Sequence, residues 1–163
     1  MAGKTDMKVL TFFLNDESYA IPIAELSEVN RAAGIRTVPK APAYVIGLLN
    51  LHGAVAPVLN LKKVLQLTLW QPAPQFMWIA VKHRSILVCL AVDRLGRIME
   101  VPRRALDQAP TLSKGAGTRY LKCCARIDDA IVPVLAVDDL LDERQSEVLA
   151  GLLNNHNTKT NIR

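Results

Sequence analysis

The chain has 163 residues, half of them hydrophobic and 21% charged, with a net charge of +5. That length suits one domain, or two small subdomains sharing a core, and the composition excludes a chain disordered beyond its ends. The longest strongly apolar run, Ile86 to Val92, is about a third of a membrane span, which excludes a spanning helix.

Residues 1–8, "MAGKTDMK", are short and polar, with no apolar stretch of signal-peptide length behind them, and are expected to be flexible. "LTFFL", "NDES" and "YAIPI" then read as strand, four-residue turn, strand. After a connector, Tyr44 to Leu65, "YVIGLLNLHGAVAPVLNLKKVL", reads as a second hairpin. His52-Gly53 sits between its apolar runs, where a tight turn needs positive φ, and Gly53 supplies that at least cost. Pro57 cannot donate to a ladder and so marks an edge or a bulge. Asn60 is placed to cap a short helical turn at "LKKVL".

"QPAPQ" reads as a linker or crossing strand, and the plan then begins again. "MWIAV", "KHRS" and "ILVCLAV" repeat the first hairpin about 67 residues on. "GAG", Gly115 to Gly117, lacks the strand and helix of a phosphate loop and reads as a flexible connector. Tyr120 to Leu141, "YLKCCARIDDAIVPVLAVDDLL", aligns with Tyr44 to Leu65 without a gap at an offset of 76, with six of 22 positions identical. Pro133 answers Pro57, so both hairpins should share a bend. Asp128-Asp129 answers His52-Gly53 but tolerates positive φ less well, so a longer second turn is expected. "VDDLLDERQSEVLAGLLNN" has the pattern of an amphipathic helix with acids in its first turns, and "NHNTKTNIR" that of a frayed tail.

Hairpin, connector, hairpin, written twice, indicates an internal duplication rather than a solenoid. The expected fold is mostly β: one domain over residues 9–145, made of intertwined subdomains at roughly 9–70 and 71–145, with a C-terminal helix and tail at 146–163.

Charge is unevenly laid out. Lys82 to Arg126 holds ten basic residues against three acids, whereas Asp128 to Glu143 holds six acids and no base. This could make a dipolar surface that steers a partner, or ordinary solvated loops. Single-residue chemistry finds little support. His52 could ligate a metal or act as a base, but His83, expected in a turn, and His156, in the tail, offer no ligand spacing. Cys89, Cys123 and Cys124 fall in strands, make a poor disulfide framework, and suit a reduced, cytoplasmic chain. Asp138, Asp139, Asp142 and Glu143 sit at a helix start, where dipole and solvation roles explain them.

Four segments together, "YAIPIAELSEV", "VPKAPAYVIGLLNLHGAVAPVLNL", "LAVDRLGRIMEV" and "DDAIVPVLAVDDLL", resemble the CheW family of bacterial chemotaxis coupling proteins, from about Val9 to Leu141. The resemblance implies two pseudo-repeated five-stranded SH3-like β-barrels around a shared core, with a few short helices. It implies a non-enzymatic adaptor without cofactor. Such an adaptor is cytoplasmic and recruited to membrane receptor arrays. Its partners would be the cytoplasmic tips of methyl-accepting chemotaxis receptors and the regulatory domain of a CheA-type histidine kinase.

Carried onto this chain, Ile23, Leu26 and Glu28 match the family's receptor-binding segment, and Val88 and Leu95 match positions lining the same inter-barrel groove. Val29, Val38 and Leu112 fall near kinase-contact positions. Gly47, Asn50, His52 and Gly53 form a structural or partner-contact motif. An amphipathic receptor helix could lay its apolar anchors into such a groove.

Two departures stand out: His52 replaces the family's usual arginine in "NLRG", and Asn60-Leu61-Lys62 replaces "DLR". Both weaken expected ion pairs, and lysine does not reproduce arginine's planar bidentate contact. They suggest a divergent member, serving a different receptor array or a pilus or gliding pathway. The alternative reading is a small β-barrel that binds nucleic acid or anions, since the sequence pI is about 9.3. Stacking on bases needs exposed aromatics, and Lys82 to Arg126 contains one, Tyr120. A Cys- or His-dependent enzyme has least support.

Overall fold

The computed structural model describes residues 6–67, 75–108 and 119–161. "GAG", Leu112 and nearly all of "QPAPQ" lie outside the described residues.

Eleven strands are described. They are β1 (Met7–Leu14), β2 (Glu17–Pro22), β3 (Leu26–Arg31), β4 (Val45–Leu51), β5 (Ala54–Asn60), β6 (Met77–His83), β7 (Ile86–Val92), β8 (Arg94–Val101), β9 (Leu106–Gln108), β10 (Leu121–Ile127) and β11 (Ala130–Leu135). Helices α1 (Leu61–Val64) and α2 (Glu143–Asn161) follow β5 and β11. The strands form a six-stranded sheet, β8-β1-β2-β11-β10-β9, and a five-stranded sheet, β3-β6-β7-β5-β4. Each half of the chain therefore lends its opening hairpin to the other half's sheet.

Register makes the duplication quantitative. Thr11 pairs with Ala20 as Ala80 pairs with Cys89, and Leu95 lies across from Phe12 as Leu26 lies across from Val81. Through the first three strands of each half the offset is thus constant, Thr11 onto Ala80, two residues more than the sequence spacing suggested. The later hairpins keep the offset of 76: Val58 joins Cys89 in parallel, and Val134 joins Ala20 in parallel. The tyrosine pair is structural in the same way. Asn60 N–H donates to the Tyr44 carbonyl at 2.8 Å, and Ala136 N–H to the Tyr120 carbonyl at 2.7 Å.

The shared bend exists, carried by a bulge on the strand opposite the proline. The ladder shifts between Val45 and Gly47 in one hairpin and between Leu121 and Cys123 in the other. Pro57 and Pro133 each stand one residue before their strand joins its parallel neighbour. No ladder partner on that side is lost for want of an N–H.

All four hairpins close in two residues with both φ values positive: Asn15-Asp16, His52-Gly53, Arg84-Ser85 and Asp128-Asp129. This corrects three expectations. "NDES" and "KHRS" are not four-residue turns, because Glu17, Ser18, Lys82 and His83 remain in the ladders. The Asp128-Asp129 turn is not longer, because a short carboxylate side chain tolerates the left-handed region. His83 is no turn residue; it ends β6 and is buried.

The C-terminal segment differs as well. Val137–Asp139 is a 3-10 turn, α2 starts at Glu143, and it runs through most of the tail expected to fray. The sixth strand, β9, pairs with β10 by placing Asp107 across from Cys124. At the matching place in the five-stranded sheet, an isolated bridge joins Arg36 to Leu48.

Three apolar clusters follow from this topology. One fills the five-stranded sheet around Trp78, Val58 and Cys89, and one fills the six-stranded sheet around Val9, Val134 and Ala125. The largest lies between the sheets and includes Leu10, Phe12, Ile21, Leu59, Ile79, Leu90 and Leu135. Burying each such side chain is worth about 1.5–3 kcal/mol, so the shared cluster holds the two sheets together. Asn60 caps α1 as expected, its Oδ1 accepting from Lys63 N–H at 3.1 Å.

Candidate functional site

The expected groove residues lie in two matching rows. Leu26, Val81 and Val88 are neighbours across β3, β6 and β7. Leu95, Phe12 and Tyr19 are the corresponding neighbours across β8, β1 and β2. Both rows pack on the central cluster, with Phe12 and Tyr19 stacked at 6.1 Å between ring centroids. Leu26 and Leu95 are half-buried, as is Ile23 in the 3-10 turn that opens onto β3. Val88 is 1% exposed and supports its row from within. Beside Tyr19, a cleft of about 120 Å³ is lined by Leu65, Leu67, Tyr120, Leu121, Pro133 and Leu135. Burial, reinforced by the Glu17 charge, raises the Tyr19 phenol above its usual value, so Tyr19 stays neutral.

Glu28 sits two residues beyond Leu26, across the bulge that the β3–β6 register shift creates. Its Oε1 lies 2.7 Å from His52 Nε2. A carboxylate only accepts, so the imidazole donates through Nε2. His52 reaches Glu28 from the tip of β4–β5, a turn held by Asn50 Oδ1, which accepts from Gly53 N–H at 2.9 Å. Behind it, Gly47 is required by crowding: a Cβ there would stand 2.3 Å from the Arg36 carbonyl oxygen. Asn50, Gly53 and Gly47 thus hold the turn that positions His52.

The six-stranded sheet repeats this device with the acid moved from the edge strand to the turn. Arg97 occupies the place of Glu28 and Asp128 that of His52, and their side chains meet at 2.5 Å. Both pairs tie an edge strand to the tip of the hairpin at the other side of the same sheet, which curls each sheet toward closure. Sequence reading missed Arg97 and Asp128, although the offset of 76 places Asp128 under His52.

The two departures expected to weaken ion pairs do not remove them. His52 holds Glu28, and Lys62 Nζ lies 2.9 Å from Asp93 Oδ1 with its side chain 8% exposed. Asp93 Oδ2 also accepts from Asn15 N–H at 2.8 Å. One carboxylate thereby links α1 to the β1–β2 turn of the other sheet.

Val29 is half-buried against the central cluster, and Val38 is half-buried in the connector between β3 and β4. The basic run from Lys82 to Arg126 is divided between the sheets, β6 and β7 in one and β8 to β10 in the other. Arg97 and Arg126 within it are ion-paired, the latter to Asp107 at 2.6 Å. Burial raises all three thiols, Cys89 to about 12, so none supplies the thiolate that a nucleophile requires. Among the described residues no cluster of three His, Cys, Asp or Glu side chains could hold a metal ion. No helix of the described residues is long and apolar enough to cross a membrane.

Comparison with known proteins agrees with this geometry. The family model described as the CheW-like domain matches residues 8–145. The chain is similar to the chemotaxis protein CheW of Helicobacter pylori, 29% identical over 136 residues covering 83% of this chain and 81% of that one. It is also similar to chemotaxis protein CheW of Treponema pallidum, 26% identical, with 89% and 88% covered. The fold matches the crystal structure of the scaffolding protein TtCheW from Thermoanaerobacter tengcongensis, with a TM-score of 0.77 and 23% identity over 84% of this chain and 93% of that one.

Proposed function

The chain belongs to the CheW-like family, and from that premise we propose that it is a scaffold coupling chemoreceptors to a CheA-type histidine kinase, by binding rather than by catalysis. The observation that carries this reading is the pair of matching apolar rows on one core, the Leu26 row beside the Glu28–His52 contact and the Leu95 row beside Arg97–Asp128. A receptor-tip helix would set apolar anchors against Leu26, Leu95 and Ile23, while Glu28, held by His52, supplies charge at the rim beside Leu26. Val29 and Val38, on the β3 side, would contact the kinase's regulatory domain. Such an adaptor works in the cytoplasm at receptor arrays, and its departures at His52 and Lys62 suit a divergent array or a pilus or gliding pathway. No observation favours the nucleic-acid reading.

Glu28→Lys tests the assignment. It places a cation against His52 and Glu28's side chain is about one-third exposed, so the fold should survive. Receptor-tip capture in a pull-down should fall at least tenfold while capture of the kinase domain holds. Undiminished tip binding by the folded variant would refute the groove assignment.

A further inference from the structure

His83 ends β6 with its side chain 1% exposed, and its Nε2 has no hydrogen-bond partner. It lies under the C-terminal arm, the 3-10 turn Val137–Asp139 followed by buried Leu140 and Leu141, which packs on β6 and leads directly into α2. The arm is fastened beside the histidine, where Arg84 N–H donates to Asp138 Oδ1 at 3.1 Å. α2 in turn packs on β5 and buries Leu149.

Among the described residues the charged groups facing the ring are Arg84, which opposes an imidazolium, and Asp138, which favours one; the Leu141 backbone also favours it. Burial is the largest influence and holds His83 below the usual histidine value. A buried imidazolium needs partners on both nitrogens, and the closed arm provides none for Nε2.

We propose that His83 is a pH-sensitive latch: neutral, it lies beneath residues 137–141, and on protonation the arm and α2 release from β6 and β5. The sign follows from linkage. Protonation is easier with the arm open, so closure is fully stable above the ordinary imidazole value of about 6.5 and weakens as pH falls below it. The arm-opening equilibrium grows by at most about tenfold per pH unit, and levels off below the value His83 keeps in the closed arm.

Amide hydrogen exchange on the intact chain tests this, with rates corrected for the intrinsic pH dependence of exchange. From pH 7.5 to 5.5, protection over residues 143–154 should fall about tenfold while β7 holds. In His83→Gln, which is neutral throughout, the arm's protection should not change with pH. Constant protection in the wild-type chain, or an equal fall in β7 and α2, overturns the latch. Should His83→Gln fail to fold, those wild-type results decide alone.

Discussion

At the scale of single residues, what matters is how the chain compensates for its own substitutions. Lys62 and Asp93 form a largely buried pair at 2.9 Å, and Asp93 is also held by Asn15 N–H. Lys62→Met should therefore cost about 2–4 kcal/mol in denaturant unfolding, because it strands a carboxylate in a poorly solvated place. Lys62→Met with Asp93→Leu should recover most of that loss, since an apolar pair can replace a buried ion pair. By contrast, His52 is 77% exposed. His52→Arg should keep the contact to Glu28 and move stability by less than about 1 kcal/mol. These outcomes separate a buried contact that holds the fold from one that lies at the surface. Thiol chemistry follows burial in the same way. Cys89, raised to about 12, should resist iodoacetamide at pH 8 in the folded protein and react only on unfolding.

At the scale of elements, the two-residue hairpin turns are the sharpest test, because every turn residue sits at positive φ. Gly53 has open space around a built Cβ but φ of +89°, so Gly53→Ala should cost about 1–2 kcal/mol from backbone strain alone. Asp129, at φ of 65°, should gain about 0.5–1 kcal/mol as Asp129→Gly. Gly47→Ala should cost more than Gly53→Ala, since its Cβ would meet the Arg36 carbonyl at 2.3 Å; thermal melts of the three variants check the order. The hairpins themselves were legible in the sequence because apolar runs and turn residues are local signals. Turn length was not: polar Glu17, Ser18 and Lys82 look like loop, and only pairing with a neighbouring strand shows that they belong to a ladder. His83 was misplaced for the same reason, since its burial depends on an arm more than 50 residues away. The tail past Asn154 has no apolar period, so its helical extension leaves no mark in the pattern of side chains.

At the scale of the whole molecule, the duplication was readable and the exchange of hairpins between sheets was not. An offset of 76 reports that two segments are alike, but not which sheet each joins, because strand pairing across the halves is a tertiary choice. The same gap hid half of the candidate site. Glu28 and His52 each stand out in the sequence, yet their contact, and its counterpart at Arg97–Asp128, appear only when the sheets curl. Leu26 and Leu95 were chosen by resemblance, and the fold explains why they belong together: they hold equivalent places in the two halves and face one core. Each sheet thus carries one such polar pair at its rim, with the acid on the edge strand in one and on the hairpin turn in the other.

A coupling scaffold must hold both partners at once. Sedimentation velocity of the chain with a receptor-tip fragment and the kinase's regulatory domain, each at tens of micromolar, measures this directly. The expected result is a ternary species containing all three, lost to a binary complex with the kinase domain in Glu28→Lys. A folded chain that binds neither partner, or whose two partners displace each other, would contradict it.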